Sequence, residues 1–206
     1  ALDRFTLISN SDCHSPGKLG REANLFNTGF DFFSLREAIR TPQDAAENQR
    51  FTATVEFYPE EGKYHCDGHR KCGVCLEPAQ TREHKGICPH GGRPLTIGVL
   101  HRVMELADRP QAVHPAGAPA VHSLIPLLEI TAELLGCGPS SRKATDGYVR
   151  LVNAFGSEFG LLLDTPVEEI RARGFTLVAE AIERLRADRV IRHPGYDGEF
   201  GVIRVF

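Results

Sequence analysis

The stretch that decides the fold of the central region is Cys72-Gly73-Val74-Cys75, followed thirteen residues later by Cys88-Pro89-His90-Gly91-Gly92-Arg93. A Cys-x-x-Cys pair with a glycine inside it is typical of a zinc knuckle, in which the backbone folds around the metal. The surrounding residues 59–97 carry few large apolar side chains, but they hold four of the six cysteines, four histidines and six glycines. Such a segment cannot form a stable hydrophobic core alone and needs an additional cross-link such as a metal ion.

The predicted metal ligands of this central region are thiolates and an imidazole. The cysteines cluster in a sequence in which no secretory signal is recognised, and this favours metal binding over a disulfide framework. A closed structural zinc takes four ligands, and the predicted set is Cys72, Cys75, Cys88 and His90. The alternatives for the fourth ligand are His69, His65 and Cys66. The competing interpretation is a former knuckle whose thiols are free and held by hydrogen bonds.

Residues 1–58 are predicted to be a mixed α/β segment. Apolar and alternating patterns predict three short strands, at residues 5–8, 30–33 and 52–57. Between the last two, Ser34 is expected to cap a helix, with Glu37 placed as in a capping box. Thr41-Pro42 is expected to end that helix, because the residue before a proline disfavours the helical conformation.

The polar loop after the first predicted strand reads Ser9-Asn10-Ser11-Asp12-Cys13-His14-Ser15. A carboxylate and an imidazole two residues apart suit Zn, Mn or Fe, and barrel active sites lie at the C-terminal ends of the strands. Asp12 and His14 are therefore candidate catalytic metal ligands. The alternative interpretation is a polar turn with an Asx cap.

Residues 98–206 are predicted to be mainly helical. Apolar side chains recur at helical spacing, and proline and glycine mark where segments begin and end. The predicted helical segments are residues 99–106, 124–135, 148–155, the stretch after Pro166, and 177–185. Residues 196–205 read as a turn and a final strand.

The composition is that of an ordinary globular protein. The 206 residues are 41% hydrophobic and 25% charged, which argues against disorder. The net charge of −3 excludes a uniformly basic nucleic-acid coat. Residues 62–102 nevertheless hold seven Lys and Arg against three acidic residues, a patch that either neutralises phosphates or is a solvated face. No signal peptide or membrane-length apolar run is recognised, so we expect a cytoplasmic protein with no membrane partner.

Several stretches resemble endonuclease Q and its relatives, within the polymerase-and-histidinol-phosphatase (PHP) family of metallo-phosphoesterases. The segment Asp12-Cys13-His14 is similar to the last metal motif of that family. The order of the motifs that follow is also similar and extends along essentially the whole chain, through residues 18–24, 56–65, 68–75, 96–103 and 194–201.

The resemblance implies both an α/β architecture and an activity. It implies the C-terminal remnant of a PHP-type α/β barrel in residues 1–58, a zinc-knuckle module in 59–97 and a mainly helical domain in 98–206. The implied activity is DNA repair by a hydrolase that nicks DNA 5′ of uracil, hypoxanthine or an abasic site, with the damaged base taken out of the stack. Deaminated or damaged DNA is the implied partner, and other repair proteins are further candidates.

Two departures from the family pattern bear on the metal sites. Residue 91 is glycine where the family has cysteine, so three cysteines, Cys72, Cys75 and Cys88, match the zinc motif. The earlier metal ligands of the family, including its opening His-x-His motif, should lie upstream of Ala1. Asp12 and His14 would then be the last two ligands of a barrel site for Zn, Mn or Mg, and we expect the isolated chain to be inactive.

Two other function classes remain open from the sequence. One is a non-catalytic, zinc-dependent module that binds nucleic acid or protein, and the other is a small-molecule phosphoesterase of the PHP family. DNA binding that weakens steeply with salt would separate the DNA-handling classes from the phosphoesterase. A preference for uracil or inosine DNA would separate the endonuclease from the binding module.

Overall fold

The protein is described by a computed structural model over residues 3–42 and 50–206. The chain divides into two compact units, Ala1–Phe57 with Glu105–Ser123, and Tyr58–Met104 with Leu124–Phe206. Residues 59–97 and the C-terminal helices belong to the same compact unit, and the domain bounds predicted from the sequence remain a prediction.

The described ranges contain both strands and helices, with four helices in succession before the last two strands. In chain order they are β1 (Ala23–Asn27), α1 (Phe32–Arg40), β2 (Arg50–Glu56), β3 (Asp67–His69), β4 (Val74–Leu76), α2 (Pro78–Glu83), α3 (Val99–Leu106), β5 (Ala120–Ser123), α4 (Leu127–Leu134), α5 (Arg142–Phe155), α6 (Val167–Ala172), α7 (Thr176–Arg186), β6 (Ile191–His193) and β7 (Val202–Arg204). Tight helical turns occur in addition, of the 3-10 type at Pro16–Lys18, Pro59–Glu61 and Arg70–Cys72, and of the π type at Gly160–Asp164.

The first unit is built on a three-stranded sheet in the order β1–β2–β5. The central strand β2 runs antiparallel to β1 and parallel to β5. Phe51, Ala53 and Val55 on β2 are at most 3% exposed, and the Phe51 ring stacks on Phe26 with 4.8 Å between the ring centroids. Alternate residues of a strand point to the same face, and the strand predicted at residues 52–57 is confirmed.

The helix α1 begins earlier than the sequence predicted. Its N-terminus is capped by Asp31, whose Oδ1 accepts hydrogen bonds from two backbone amides at 3.0 Å each. An acidic side chain at this position satisfies amides that have no partner inside the helix. The strand predicted at residues 30–33 is therefore wrong, and so is the cap predicted at Ser34. The predicted end of the helix before Thr41-Pro42 is confirmed.

The strand predicted at residues 5–8 is also wrong, while β1 was missed. The extended segment that follows residues 5–8 is held by one side chain instead of a strand ladder. The amide group of Asn24 accepts a hydrogen bond from Ser9 N at 2.9 Å and donates one to Ser9 O at 2.5 Å. This side chain thereby satisfies both backbone groups that a neighbouring strand would otherwise pair.

The second unit contains the cysteine-rich hairpin. β3 and β4 pair antiparallel, and the turn between them passes through Gly73 with a φ of 63°. Glycine adopts this left-handed conformation without the steric cost that other residues incur. A small apolar cluster lies under the hairpin, formed by Val74, Cys88 and Leu95, with Cys72 and Leu76 packed against it.

The C-terminal helices supply the large apolar core of the second unit. The predicted helical segments are confirmed as α3 to α7. The most deeply buried side chains, each at most 1% exposed, include Leu127, Ile130, Leu161, Leu162, Ile170 and Ile182. As predicted, α4 ends just before Gly136, whose φ of 61° stops the helix. The π-helical turn that buries Leu161 and Leu162 was not predicted.

The tail ends in a hairpin of β6 and β7, so the predicted final strand is confirmed and has a partner strand. The tail lies directly against the backbone before β3. Gly195 N donates a hydrogen bond to Glu60 O at 2.8 Å, and Cys66 N donates one to Gly195 O at 3.0 Å. A Cβ atom at position 195 would lie 2.4 Å from Gly62 O, so only glycine allows this approach.

The mixed α/β character of the chain is confirmed, but its sheets are small. The largest sheet in the described ranges has three strands and is open at its edges, and the PHP-type barrel remnant remains a prediction. Within residues 3–42 and 50–206, no helix is both long enough and apolar enough to cross a membrane.

Candidate metal site

Three donor side chains meet beside the turn of the β3–β4 hairpin. His69 ends β3, Cys72 closes the 3-10 turn that follows, and Cys88 comes after α2. Their donor atoms all lie within 4.8 Å of one another. Cys88 is buried, and the other two residues are half-buried. Two thiols and an imidazole are among the groups that zinc prefers as ligands.

The imidazole of His69 has an unsatisfied nitrogen. Its Nδ1 atom is buried and lacks a hydrogen-bond partner among the residues that the structure describes. Leaving a buried polar atom unpaired costs about 1–3 kcal/mol. A metal ion bound at this nitrogen would remove that cost, so the donor set fits a zinc ion.

The two thiols differ in how readily they ionise. Burial raises the pKa of Cys88, but hydrogen bonds from the backbone amides of Gly91 and His90, and one with Cys72, outweigh burial and leave this pKa lowered. The Gly91 amide lies 3.3 Å from Sγ of Cys88. Burial and the neighbouring Cys88 raise the pKa of Cys72. Cys88 is thus the thiol that the backbone prepares as a thiolate, the form that binds metals.

Gly91 faces the same three donors. A Cβ atom at this position would lie 2.8 Å from Sγ of Cys72 and 3.5 Å from Nδ1 of His69. A side chain at position 91 would therefore point into the space between the donors. Because residue 91 is glycine, it contributes backbone atoms but no side-chain ligand beside Cys72 and His69.

Two predicted ligands lie outside the three-donor group. Side chains alternate along β4, so Val74 points to the small core and Cys75 points to the opposite face. There Cys75 is a neighbour of Cys66, and burial, followed by this second thiol, raises the pKa of Cys66 to about 12. His90 is exposed and is not in the group either.

The donor set was visible in the sequence through a different spacing. His69-Arg70-Lys71-Cys72 separates two donors by two residues, as Cys88-Pro89-His90-Gly91 separates Cys88 from position 91. The structure places both tetrapeptides at one point. The more familiar Cys72-x-x-Cys75 pair concealed this match, and His69 stood only among the alternatives for the fourth ligand.

A buried carboxylate fixes the hairpin to the segment that leads into α3. Asp67 on β3 is fully buried. Its Oδ1 accepts a hydrogen bond from Gly98 N at 2.7 Å, and its Oδ2 lies 2.5 Å from Nδ1 of His101. Asp67 lies two residues before His69, so these contacts set the position of the strand that carries the imidazole.

A second carboxylate holds the turn itself. Asp197 in the tail accepts hydrogen bonds from Arg70 N at 2.7 Å and from Thr96 Oγ1 at 2.6 Å. The Thr96 hydroxyl, followed by the Arg70 amide, lowers the pKa of Asp197. The carboxylate therefore remains ionised well into the acidic range while it anchors the turn that carries Cys72.

An exposed cluster of one lysine and two aromatic rings lies on the same unit. Nζ of Lys63 is 5.6 Å from the centre of the Tyr64 ring and 5.7 Å from that of Phe200. The two rings are 46% and 74% exposed. We call these three residues the Lys63 cluster; a cation between exposed rings is a surface suited to phosphates and unpaired bases.

The predicted catalytic pair Asp12 and His14 lies in the first unit. Nε2 of His14 is 3.2 Å from Oδ2 of Asp12, and both side chains are almost wholly exposed. No third donor joins them within the part of the chain that the structure describes. Two exposed ligands leave a metal bound weakly, if they bind it alone.

Sequence relatives cover nearly the whole chain. A family model described as the MJ0043 C-terminal domain matches residues 126–189. The chain is 29% identical over 204 residues to uncharacterized protein MJ0043 of Methanocaldococcus jannaschii, and 30% identical over 205 residues to uncharacterized protein YqxK of Bacillus subtilis. Each match covers 98% of this chain, but only 26% and 48% of the respective relative.

Two solved structures share the fold. The lesion-specific endonuclease PfuEndoQ from Pyrococcus furiosus matches with a TM-score of 0.83 at 31% identity. A structure of endonuclease Q in complex with a 27-mer duplex substrate, with an abasic lesion at the active site, matches with a TM-score of 0.77 at 31% identity. Each match covers 98% of this chain and 50% of the other chain. The resemblance to endonuclease Q is thus confirmed, and it spans about half the length of those proteins.

Proposed function

We propose that this chain, which resembles endonuclease Q over 98% of its length, is the C-terminal portion of a DNA-repair endonuclease. The proposed activity of the whole protein is nicking of DNA on the 5′ side of deaminated bases, such as uracil and hypoxanthine, or of abasic sites. The observation that carries the proposal is the TM-score of 0.83, at 31% identity, with a lesion-specific endonuclease.

The Lys63 cluster gives this proposal a surface for DNA. A lysine that reaches a phosphate releases a counterion and makes binding dependent on salt. Exposed aromatic rings stack on bases that have left the helix, and such stacking is worth about 1–3 kcal/mol per base. An enzyme that reads a damaged base needs both kinds of contact, because the base has to leave the stack.

The hydrolytic centre is proposed to use Asp12 and His14 as two of its metal ligands. A metal there would polarise the phosphate and supply a nucleophile at neutral pH. The pair is exposed and has no third donor among the described residues. We therefore propose that the 206 residues alone do not nick DNA.

A zinc ion is the proposed stabiliser of the hairpin. His69, Cys72 and Cys88 would hold it, since their donor atoms lie within 4.8 Å of one another. The apolar cluster beneath them is small, and structural zinc contributes folding free energy directly. Asp67 and Asp197 hold the backbone that presents these ligands.

The second candidate function is a non-catalytic module that binds nucleic acid. The hairpin brings three metal-binding side chains together, whereas the proposed catalytic site consists of two side chains, Asp12 and His14. This difference favours a structural metal without catalysis. In this case the chain would bind DNA through the Lys63 cluster without distinguishing damaged from normal duplexes.

The test is DNA binding and cleavage by the purified 206-residue chain. Duplexes of one sequence that carry uracil, hypoxanthine, an abasic site or no lesion are compared by fluorescence anisotropy and on denaturing gels. We expect tighter binding to the damaged duplexes, affinity that falls with salt, and no nicking with Mg²⁺ or Mn²⁺. Equal affinity for all four duplexes would overturn the lesion-directed proposal in favour of the binding module, and metal-dependent nicking would refute the inactivity of the isolated chain.

A further inference from the structure

We infer that the metal site at His69, Cys72 and Cys88 has an open fourth position, created by Gly91, that accepts a small external ligand such as imidazole. The inference rests on the zinc proposed above and concerns how this chain completes the coordination. It makes the site unlike a closed structural knuckle, in which four protein ligands surround the ion.

The first observation is that the donor set stops at three. Over residues 3–42 and 50–206, the group of metal-binding side chains within 4.8 Å contains His69, Cys72 and Cys88 and no fourth His, Cys, Asp or Glu. The neighbouring candidates do not join the group: Cys75 lies outside it, beside Cys66, and His90 is exposed. The three-donor set therefore cannot form a closed tetrahedron from its own side chains.

The second observation is the position of residue 91. Its Cβ would point at the donors, 2.8 Å from Sγ of Cys72 and 3.5 Å from Nδ1 of His69. The backbone of Gly91 is held there, because its amide donates a hydrogen bond to Sγ of Cys88 at 3.3 Å. Position 91 thus has the location and spacing of a fourth ligand but lacks the side chain.

The third observation is that the three donors are ready for a metal. Nδ1 of His69 is buried without a hydrogen-bond partner in the described ranges, and the thiol of Cys88 is already contacted by a backbone donor. The donor atoms converge within 4.8 Å of one another, and residue 91 beside them contributes no side-chain ligand. Three protein ligands with an open position are the arrangement in which zinc keeps an exchangeable ligand.

The experiment uses Co²⁺ as a spectroscopic substitute for zinc in the full chain. Wild type is compared with Gly91→Cys, which supplies the missing thiolate, and with Gly91→Ala, which adds the Cβ atom alone. In both variants the added Cβ lies 2.8 Å from Sγ of Cys72, so the Cys72 side chain has to shift to accommodate it; Gly91→Ala measures the effect of this shift alone. Co²⁺ is bound first, and imidazole is then titrated while the visible absorption bands are recorded.

For wild type we expect Co²⁺ to bind and its visible bands to shift as imidazole is added. Gly91→Cys should bind Co²⁺ about tenfold or more tightly, because even an outer partner of a metal ligand is worth that much, and its bands should not respond to imidazole. Gly91→Ala should bind no more tightly than wild type. X-ray absorption of the zinc form should count two sulfur ligands in wild type, from Cys72 and Cys88, and one more in Gly91→Cys.

The outcomes separate the two proposals. If wild type binds neither Co²⁺ nor zinc, the metal proposal fails and the open position fails with it. If wild type binds the metal but its bands ignore imidazole, or if X-ray absorption counts three sulfurs, the zinc stands and the open position is overturned. The wild-type spectra decide this even if a variant does not fold.

Discussion

The carboxylate of Asp197 accepts a hydrogen bond from the backbone amide of Arg70 at 2.7 Å, across 127 positions of sequence. The same carboxylate accepts one from the Thr96 hydroxyl at 2.6 Å. One acidic side chain thus joins the tail, the turn that carries Cys72 and the segment before α3. The stability of the hairpin is therefore connected to the protonation of Asp197.

Replacing Asp197 should remove a pH-dependent contribution to stability. The pKa of Asp197 is lowered in the folded protein. It therefore stabilises the fold above the unfolded pKa of about 3.9, and this contribution is lost as the pH falls through the lowered value. Asp197→Asn should lower the free energy of unfolding by roughly 1–3 kcal/mol at pH 7, and by progressively less below about pH 4.

Urea unfolding at several pH values between 3 and 7 measures this difference. Any metal release at low pH would be common to both proteins, so the difference between them isolates Asp197. Thr96→Val is the matched variant, because it removes one hydrogen bond and keeps the carboxylate. A constant difference between wild type and Asp197→Asn across the whole pH range would contradict the assignment.

Removing the partner of the buried Asp67 should be strongly destabilising. His101→Ala leaves the carboxylate of Asp67, which is fully buried, without the imidazole at 2.5 Å. Breaking a buried pair on one side costs about 3–5 kcal/mol. The control is His84→Ala on an exposed side chain, which should change the free energy of unfolding by less than about 0.5 kcal/mol. Equal effects of the two variants in chemical denaturation would show that the contact contributes little.

Chelation should loosen the hairpin and spare the helical core. Hydrogen exchange is compared before and after the metal is removed from the purified protein. We expect faster exchange in β3, β4 and the residues around Cys88, because metal binding and folding are coupled where the apolar core is small. Exchange in α7, which packs on the large core, should not change. Unchanged protection in β3 and β4 would argue that the three donors hold no metal.

Variants of the Lys63 cluster should affect DNA binding in two different ways. Lys63→Ala should reduce the slope of log affinity against log salt by about 0.9 or less, since one phosphate contact is lost. Phe200→Ala should weaken binding by about 1–3 kcal/mol without a change of slope. Lys143→Ala, on the exposed face of α5, is the control. Anisotropy titrations at several salt concentrations decide the matter, and identical slopes and affinities for all variants would exclude this surface from DNA contact.

The sequence predicted the helical region well because the relevant signals there are local. Spacing of apolar residues marks α5 and α7, and Gly136 stops α4 where a left-handed conformation is required. Residues 30–33 were wrongly predicted as a strand because their three phenylalanines favour strands. In the structure Asp31 accepts hydrogen bonds from two backbone amides and starts α1. The π-helical turn at Gly160–Asp164 has no comparable local signal.

The three-donor group was anticipated in part, for a reason of geometry. The sequence grouped Cys72 with Cys88 by cysteine spacing, and their donor atoms lie within 4.8 Å of each other; metal binding by them remains a prediction. Spacing does not say which face of β4 a side chain occupies, and alternation turns Cys75 away toward Cys66. His69 can be recognised as a donor only when residues 69–72 (His-x-x-Cys) are compared with residues 88–91 (Cys-x-x-Gly), which have the same spacing. Asp67 and Asp197 act through contacts distant in sequence, which no local pattern reveals.

The approach of Gly195 to the backbone around Glu60 and Cys66 has a consequence for biosynthesis. Translation adds about 5–20 residues per second, so on the order of ten seconds separate the emergence of Cys66 from that of Gly195. During this interval Cys72 and Cys88 are present on the nascent polypeptide without the tail that anchors their turn. The turn that carries Cys72 therefore reaches its anchored form only after Asp197 has been synthesised, long after both thiols have left the ribosome.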